Sequence, residues 1–193
     1  MKFRSSITYA VVPAIILSFM PVTVLASGDS PDGPVTQIAV KEKQMKFEVP
    51  QSLIAEHQEL HAELQHAIQS GGKTAEAAKA VAAVLHPHFI KEEEYALPPL
   101  GLLPALASGE VSPDMAKVLP LTDKLKHDLP QMLDEHKTIV AALERLENAA
   151  RAENKPEVES FAQALMQHAL IEEQVMYPAA ILVGEYVKLK LGK

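Results

Sequence analysis

Two segments of the chain carry the same residue types at the same spacing. They read "HFIKEEEYALPPL", beginning at His88, and "HALIEEQVMYPAA", beginning at His168, and in each a Glu follows four residues after the His and a Pro ten residues after it. Residues four apart lie on one face of an α-helix, with side chains about 5–6 Å apart. His88 with Glu92, and His168 with Glu172, can therefore each hold a metal ion.

A second glutamate follows the first in each segment, at Glu93 and Glu173. At about 100° per residue, these side chains rotate away from the His face of the helix. We therefore expect them to support the site from outside, to contact a neighbouring helix or to face solvent.

Three more histidines lie on two other predicted helices. His57 and His61 belong to "EHQELHAEL", and His136 belongs to "EHKTIVAAL". The two stretches align, because Glu-His is followed in both by an aliphatic residue, an Ala and a Leu at matching positions. His57 precedes His88 by 31 residues and His136 precedes His168 by 32. This repetition predicts a duplicated helix hairpin whose copies pair about a pseudo-twofold axis.

The composition indicates an all-α protein. Aromatic residues make up 5% of the chain, while Ala, Leu, Glu, Gln and Lys recur in long stretches typical of helices. Apolar periodicity, prolines and glycines predict helices over 50–71, 74–98, 122–151 and 156–178, with a short last helix over 179–193. Thr74 is the predicted cap of the second helix. The Pro-rich stretch 98–120 is a predicted connection, with one short helical turn after Ser112. The predicted fold is an up-down-up-down antiparallel four-helix bundle.

The mixed His and Glu set indicates a pair of transition-metal ions in the bundle, with iron favoured. Imidazole suits iron, copper, zinc and nickel, whereas carboxylates can bridge two hard cations. The predicted ligands are His57, His61, His88, Glu92, His136, His168 and Glu172. With two bridging carboxylates and one oxo or hydroxo bridge, two six-coordinate ions keep about one free position, where a small ligand can bind.

His61 makes the two predicted metal ions unequal. Its matching position in the other copy is Val140, so one ion has three histidines and the other has two, with the free position on the poorer one. A lone His on an apolar stripe is as often a satisfied boundary residue, and both interpretations of His61 stay open. Tyr95 is predicted to pack in the core or to line the cavity as a proton donor. The unmatched His66, His86 and His127 are predicted surface or capping residues.

Together these residues resemble the hemerythrin-like, HHE cation-binding domain. The resemblance rests on His57, on His136 and on the two His-x-x-x-Glu pairs, each followed by Pro98 or Pro178, and spans about residues 50–180. It implies a four-helix bundle with a non-haem di-iron centre that binds dioxygen or nitric oxide, or that senses or buffers oxygen or iron.

The chain departs from invertebrate hemerythrins in two respects. Those proteins carry the His-x-x-x-His pair on the third helix, whereas here it lies on the first. They also carry an Asp five residues after the last His, whereas here both Glu172 and Glu173 follow His168. The second bridging ligand is therefore open between these two glutamates.

Other functions use the same or similar residues. A di-iron oxidoreductase that reduces peroxide or nitric oxide, or oxidises ferrous iron, would use the same ligands. A chiefly structural bundle with adventitious zinc is a third hypothesis. A ferritin-like site needs Glu-x-x-His on two helices, and only Glu63 with His66 fits. A single-zinc hydrolase is disfavoured because no His set has an obvious catalytic base beside it.

Charge and cysteine content exclude several classes of function. The formal net charge of −7 and the scattered Lys and Arg exclude nucleic acid as the main partner. The absence of Cys excludes disulfides, thiolate metal sites and haem attached through C-x-x-C-H. No protein partner is indicated.

The N-terminal residues predict export. Lys2 and Arg4 precede an apolar run to Met20, which is followed by Val24-Leu25-Ala26 ahead of Ser27, the layout of a secretory signal. The run is shorter than the roughly 20 residues of a spanning helix, so we expect cleavage after Ala26, no stable membrane insertion afterwards, and a periplasmic or secreted protein. The predicted organisation is a signal peptide (1–26), a flexible arm (27–49) and the bundle (50–193).

Overall fold

The computed structural model describes residues 47–193, so the predicted signal peptide and nearly all of the predicted arm lie outside the described residues. From residue 47 onward the backbone is helical and contains no β-strand, which confirms the predicted all-α class. The α-helices are α1 (Gln51–Gln69), α2 (Gly72–Lys91), α3 (Leu103–Ala107), α4 (Leu119–Ala152), α5 (Pro156–Ile171) and α6 (Tyr177–Leu191). None of them combines the length and apolar character that crossing a membrane requires.

The turn between α1 and α2 is made by Gly71 and Gly72, whose φ angles are 78° and 67°. L-residues with a side chain rarely adopt this left-handed region. The predicted cap at Thr74 is wrong, because α2 begins two residues earlier. The Thr74 hydroxyl instead donates to Glu153 just beyond the end of α4 (2.8 Å), as does the backbone N–H of Lys73 (2.7 Å). A carboxylate at a helix N-terminus satisfies free N–H groups, so this contact ties α2 to α4.

The Pro-rich connection between α2 and α4 is more helical than predicted. Short 3-10 helices at Pro98–Leu102 and Pro113–Val118 flank α3. The second of them is the helical turn that the sequence predicts after Ser112, whereas α3 was not predicted. Leu102 and Val118 are buried, so the connection packs on the rest of the protein.

Both α2 and α5 run into a π-helical turn, at Glu92–Ala96 and Glu172–Met176. In each turn, the N–H of the residue that follows donates to the carbonyl of the first glutamate, five residues back (2.8 Å from Leu97 to Glu92). A proline comes next in both cases. In an α-helix its ring would clash with the carbonyl four residues earlier, and the wider turn relieves that clash.

The predicted end of the fourth helix at Pro178 is wrong. α5, the π turn and α6 form one continuous helical segment, so the C-terminal piece is not a separate helix. Pro178 occupies the first turn of α6, where its missing N–H removes no α-helical hydrogen bond.

The four long helices pack side by side around the predicted ligands. α1 and α4 each contact α2 and α5, and α6 lies against α4. Their apolar residues form two main clusters. On α4, His136 lies between Met132 of one cluster and Ile139 of the other, and His57 on α1 has the same placement. The predicted ligands therefore form a polar layer between two apolar ones.

Candidate metal centre

Six of the seven predicted ligands come together in this buried polar layer. Glu92 is 0% exposed and Glu172 is 1% exposed. The four histidines beside them, also buried, are His57, His88, His136 and His168. Burying this many polar groups is costly unless they find partners or bind an ion.

The first set of converging ligands, group I, consists of His88, His136, Glu92 and Glu172. The Nε2 atoms of His88 and His136 lie 2.7 Å apart. His88 Nε2 is 3.3 Å from Glu92 Oε1, and His136 Nε2 is 3.5 Å from Glu172 Oε2. One atom from each of four residues thus surrounds a single point.

The second set, group II, consists of His57, His168 and the other oxygen of Glu172. Glu172 Oε1 lies 2.9 Å from His168 Nε2 and 3.7 Å from His57 Nε2. The Oε2 atom of Glu92 also approaches His57 Nε2, at 3.7 Å. Each buried glutamate therefore presents one oxygen to each group, as a carboxylate bridging two ions does.

The spacing of these atoms fits a pair of metal ions. Two donors bound at about 2.1 Å and at right angles to one octahedral ion lie about 3 Å apart, and the distances above scatter around that value. Four buried atoms of the centre have no hydrogen-bond partner: His57 Nε2, Glu92 Oε2, His168 Nε2 and Glu172 Oε1. Unpartnered buried polar atoms are rare in proteins, and all four belong to predicted ligands.

Each of the four histidines turns its second ring nitrogen, Nδ1, towards a glutamate at the edge of the bundle, and these four are named the outer glutamates. The pairs are His57 with Glu93 (3.2 Å), His88 with Glu135 (2.9 Å), His136 with Glu173 (3.0 Å) and His168 with Glu56 (3.0 Å). A carboxylate at Nδ1 keeps the proton on that nitrogen and leaves Nε2 free to bind a metal. The second glutamates therefore support the ligands, and Glu172, not Glu173, faces both groups. Glu56 and Glu135 were not predicted, although each directly precedes an aligned His.

In the absence of an ion, burial and the neighbouring charges shift the pKa values of the clustered Glu and His side chains. Burial and the neighbouring Glu172 raise the pKa of Glu92. Burial also acts to raise the pKa of Glu172, but the nearby imidazoles of His136 and His168 outweigh it and hold that pKa low. Burial acts to lower the pKa of His168, but Glu172 and Glu56 raise it to about 9. A bound cation would instead favour the deprotonated form of every ligand.

His61 is the one predicted ligand that the structure does not bring to the centre. Its ring packs edge-on against Phe89 at 5.2 Å and lies 6.1 Å from the ring of His86. The Phe89 ring also contacts His57, whose ring stacks on it with centroids 4.2 Å apart. Burial and the neighbouring His86 lower the pKa of His61. The unmatched His66, His86 and His127 also lie outside both groups.

Tyr177 is a residue of the centre that sequence reasoning missed. Its hydroxyl contacts the Glu92 carboxylate and lies 3.3 Å from His88 Nε2 and 3.2 Å from His136 Nε2. Nine residues separate it from His168, which in an uninterrupted α-helix places it on the opposite face, whereas the intervening π turn rotates it inward. Tyr95, by contrast, packs in the core, and its hydroxyl donates to the sulfur of Met132 (3.6 Å).

Two surface pockets reach the ligands from different sides. A pocket of about 650 Å³ is lined by Phe47, Gln51, Gln58 and Glu93 and reaches His57. Another, of about 700 Å³, lies between α2 and α4 and reaches His88. Each group therefore has one histidine that lines a surface pocket.

Comparison with known proteins identifies the family. The model of the hemerythrin HHE cation-binding domain matches residues 48–180, which contain all six buried candidate ligands. No curated protein and no solved structure matches the chain. The match covers more than half of the chain, and the chain therefore belongs to the hemerythrin HHE cation-binding domain family.

Proposed function

We propose that the protein is a non-haem di-iron protein that binds dioxygen or nitric oxide, or senses or buffers iron or oxygen. The observation that carries the proposal is the placement of Glu92 and Glu172, each of which directs one oxygen to group I and the other to group II. Two carboxylates shared in this way hold two ions close together, which a single-metal site does not need.

The donor set favours iron over other metals. Each ion receives two imidazole nitrogens and carboxylate oxygens, with no sulfur, since the chain has no cysteine. Zinc in structural sites prefers four ligands with thiolates common, and magnesium prefers oxygen alone. A mixed nitrogen and oxygen set inside a helical bundle suits a redox-active ion that keeps positions free for a small ligand.

The alternative is a di-iron oxidoreductase that reduces peroxide or nitric oxide, or oxidises ferrous iron. The presence of Tyr177 favours it, because a phenol hydroxyl against the ligands can donate a proton or an electron. The two functions share every ligand, and they differ in redox potential and in what happens to the small ligand after it binds.

Location and origin complete the proposal. The predicted signal sequence supports a periplasmic or secreted protein cleaved near Ala26. The four Nδ1 contacts support an up-down bundle derived from a duplicated hairpin, because the pair His57 with Glu93 corresponds to His136 with Glu173, and His88 with Glu135 to His168 with Glu56.

Metal analysis of the mature protein, purified without added metal, tests the proposal. We expect about two iron ions per chain, and fewer in His88→Ala. His127→Ala is the matched control, because His127 is exposed on α4 and lies outside both groups. Near-zero iron in the wild type, with no loss in His88→Ala, would contradict the proposal.

An optical spectrum separates the two functions. The protein is loaded with ferrous iron without oxygen and then exposed to air. An absorption band that disappears when oxygen is removed supports reversible binding. Continued consumption of oxygen or peroxide over many turnovers supports the oxidoreductase.

A further inference from the structure

The surroundings of the Tyr177 hydroxyl distinguish group I from group II. The side chain is fully buried, and its ring stacks on His136 with centroids 5.6 Å apart. The hydroxyl lies within 3.3 Å of three donor atoms of group I, namely one oxygen of Glu92 and the Nε2 atoms of His88 and His136. A phenol packed only for its apolar ring would not need to direct its oxygen at this cluster.

These distances are those of donors that share one ion. Atoms bound at right angles to an octahedral ion lie about 3 Å from each other, and the Tyr177 oxygen meets this condition for both histidines. On the basis of the proposed di-iron centre, and going beyond it, we propose that Tyr177 is a direct ligand of the group I metal. On binding, the phenol loses its proton to solvent and the phenolate oxygen forms a bond to the metal, with no electron transferred.

Group II has no equivalent of Tyr177. The matching position in the first segment is Leu97, nine residues after His88, which has no donor atom. The four unpartnered atoms of the centre also all face group II: His57 Nε2, His168 Nε2 and the oxygens of Glu92 and Glu172 on that side. Tyr177 thus fills a position on the group I metal and directs an incoming small ligand to the group II metal.

Surface pockets lie against both groups, and the pocket on the group II side includes His57 in its lining. It opens on the side of α1 and is lined by residues before and within that helix and by Glu93. The Phe89 ring stacked on His57 gives the neighbourhood of the group II metal an apolar wall. This apolar wall suits a small ligand of low charge.

Ferric-loaded protein provides a direct test. A phenolate bound to ferric iron gives a visible charge-transfer band and resonance-enhanced vibrations of the tyrosine ring. We expect both in the wild type and in Tyr95→Phe, and neither in Tyr177→Phe that still holds two iron ions. Tyr95→Phe is the matched control because Tyr95 is equally buried but its hydroxyl contacts Met132.

Azide provides a second readout that a merely structural role would not change. We expect one azide per chain in the wild type and two in Tyr177→Phe, because the substitution opens a position on the group I metal. If Tyr177→Phe does not fold, wild-type protein with ring-deuterated tyrosine replaces it: the enhanced vibrations shift on deuteration, and they persist in Tyr95→Phe and Tyr186→Phe.

The outcomes separate this inference from the proposed function. Two iron ions without the charge-transfer band, or a band that persists in Tyr177→Phe, would overturn the ligand assignment and leave the di-iron centre intact. A wild-type protein that takes up no iron would overturn both.

Discussion

Group I and group II each combine two imidazoles with one oxygen from each of two shared glutamates. In group I, the Tyr177 hydroxyl contacts three of the donor atoms. In group II, an aromatic hydrocarbon ring, Phe89, stacks on His57, and the inward-facing atoms lack partners. Two copies of one sequence pattern therefore produce similar ligands but different surroundings.

This difference shows that the repeated residues specify where the His and Glu side chains converge, and that the unrepeated residues specify the surroundings of each group. The repeated residues are the His-Glu pairs, the outer glutamates and the prolines. The residue nine positions after the second-helix His is outside the repeat, being Leu97 in one copy and Tyr177 in the other. This position therefore contributes to the difference between the two groups.

Glu172→Gln should have the largest effect, because Glu172 belongs to both groups. A neutral amide cannot bridge two cations, so we expect loss of both metal ions, measured as metal per chain after dialysis. Glu94→Gln is the control, since Glu94 is exposed on the same π turn as Glu92. Retention of two metals by Glu172→Gln would show that the groups do not share this ligand.

His168→Ala and His88→Ala compare the groups directly. His168→Ala leaves one imidazole in group II, and we expect the metal content to fall from about two ions to about one. His88→Ala leaves His136, Tyr177 and both glutamates in group I, so we expect a smaller loss at the same chelator concentration. Equal losses in the two variants would remove the distinction between the groups.

The pH dependence of metal binding follows from the histidines. Their burial acts to lower the pKa values of His57, His88 and His168, but hydrogen bonds with glutamates raise them in the metal-free protein, that of His168 to about 9. Protons therefore compete with metal below these raised values, and we expect apparent affinity to increase with pH up to about 9, as competition titrations can measure. An affinity independent of pH would contradict protonated ligands in the metal-free state.

The raised pKa of His168 also affects the stability of the metal-free protein, which we expect to decrease with pH where metal affinity increases. A raised pKa in the folded state stabilises the fold fully below the ordinary value of 6.5, and this contribution is lost as the pH rises through about 9. We expect the melting temperature of metal-free wild type to fall over this interval more than that of His168→Gln.

Glu173→Gln and Glu93→Gln test the outer glutamates on the two sides. Each removes the carboxylate at Nδ1 of one ligand, a change that typically costs 10–100-fold in metal affinity. We expect the larger loss from Glu173→Gln, because Glu173 is 32% exposed and Glu93 is 53% exposed, where water replaces the lost contact more readily. The reverse order would indicate that exposure does not decide the strength of these contacts.

His61→Ala should have the smallest effect. The structure places His61 against Phe89 and outside both groups, so we expect two metals per chain with unchanged affinity. His57→Ala, one turn away on the same helix, is the contrasting variant and should lose the group II metal. Loss of metal from His61→Ala would restore the three-histidine ion that the sequence predicts.

Helical spacing and the repeated pattern were sufficient to predict which six buried His and Glu side chains come together. His and Glu four residues apart share a helix face whatever surrounds them, so His88 with Glu92 and His168 with Glu172 could be paired from the sequence. The all-α class followed in the same way from composition and periodicity. Spacing alone did not distinguish His57 from His61. The two rings contact different sides of Phe89, which lies on another helix.

Tyr177 could not be predicted from a regular helix. Residues are assigned to faces at about 100° each, and a π turn changes the phase for everything after it. The prolines after both turns were visible in the sequence, but they were interpreted as helix ends. The prediction of a helix end holds at Pro98, where a short 3-10 helix follows, and fails at Pro178, where the helix continues into α6.

The four outer glutamates have a consequence for the electron affinity of the centre. With Glu92 and Glu172 they make six carboxylates around four histidines, and Lys91 pairs with one of them, Glu135. If the imidazoles are neutral, the negative charge of these carboxylates exceeds the positive charge of two divalent ions. Removal of an electron from the metal pair reduces this excess. In a di-iron protein, such a cage lowers the reduction potential, so the ferric state is favoured and a reductant must be supplied to restore the ferrous one.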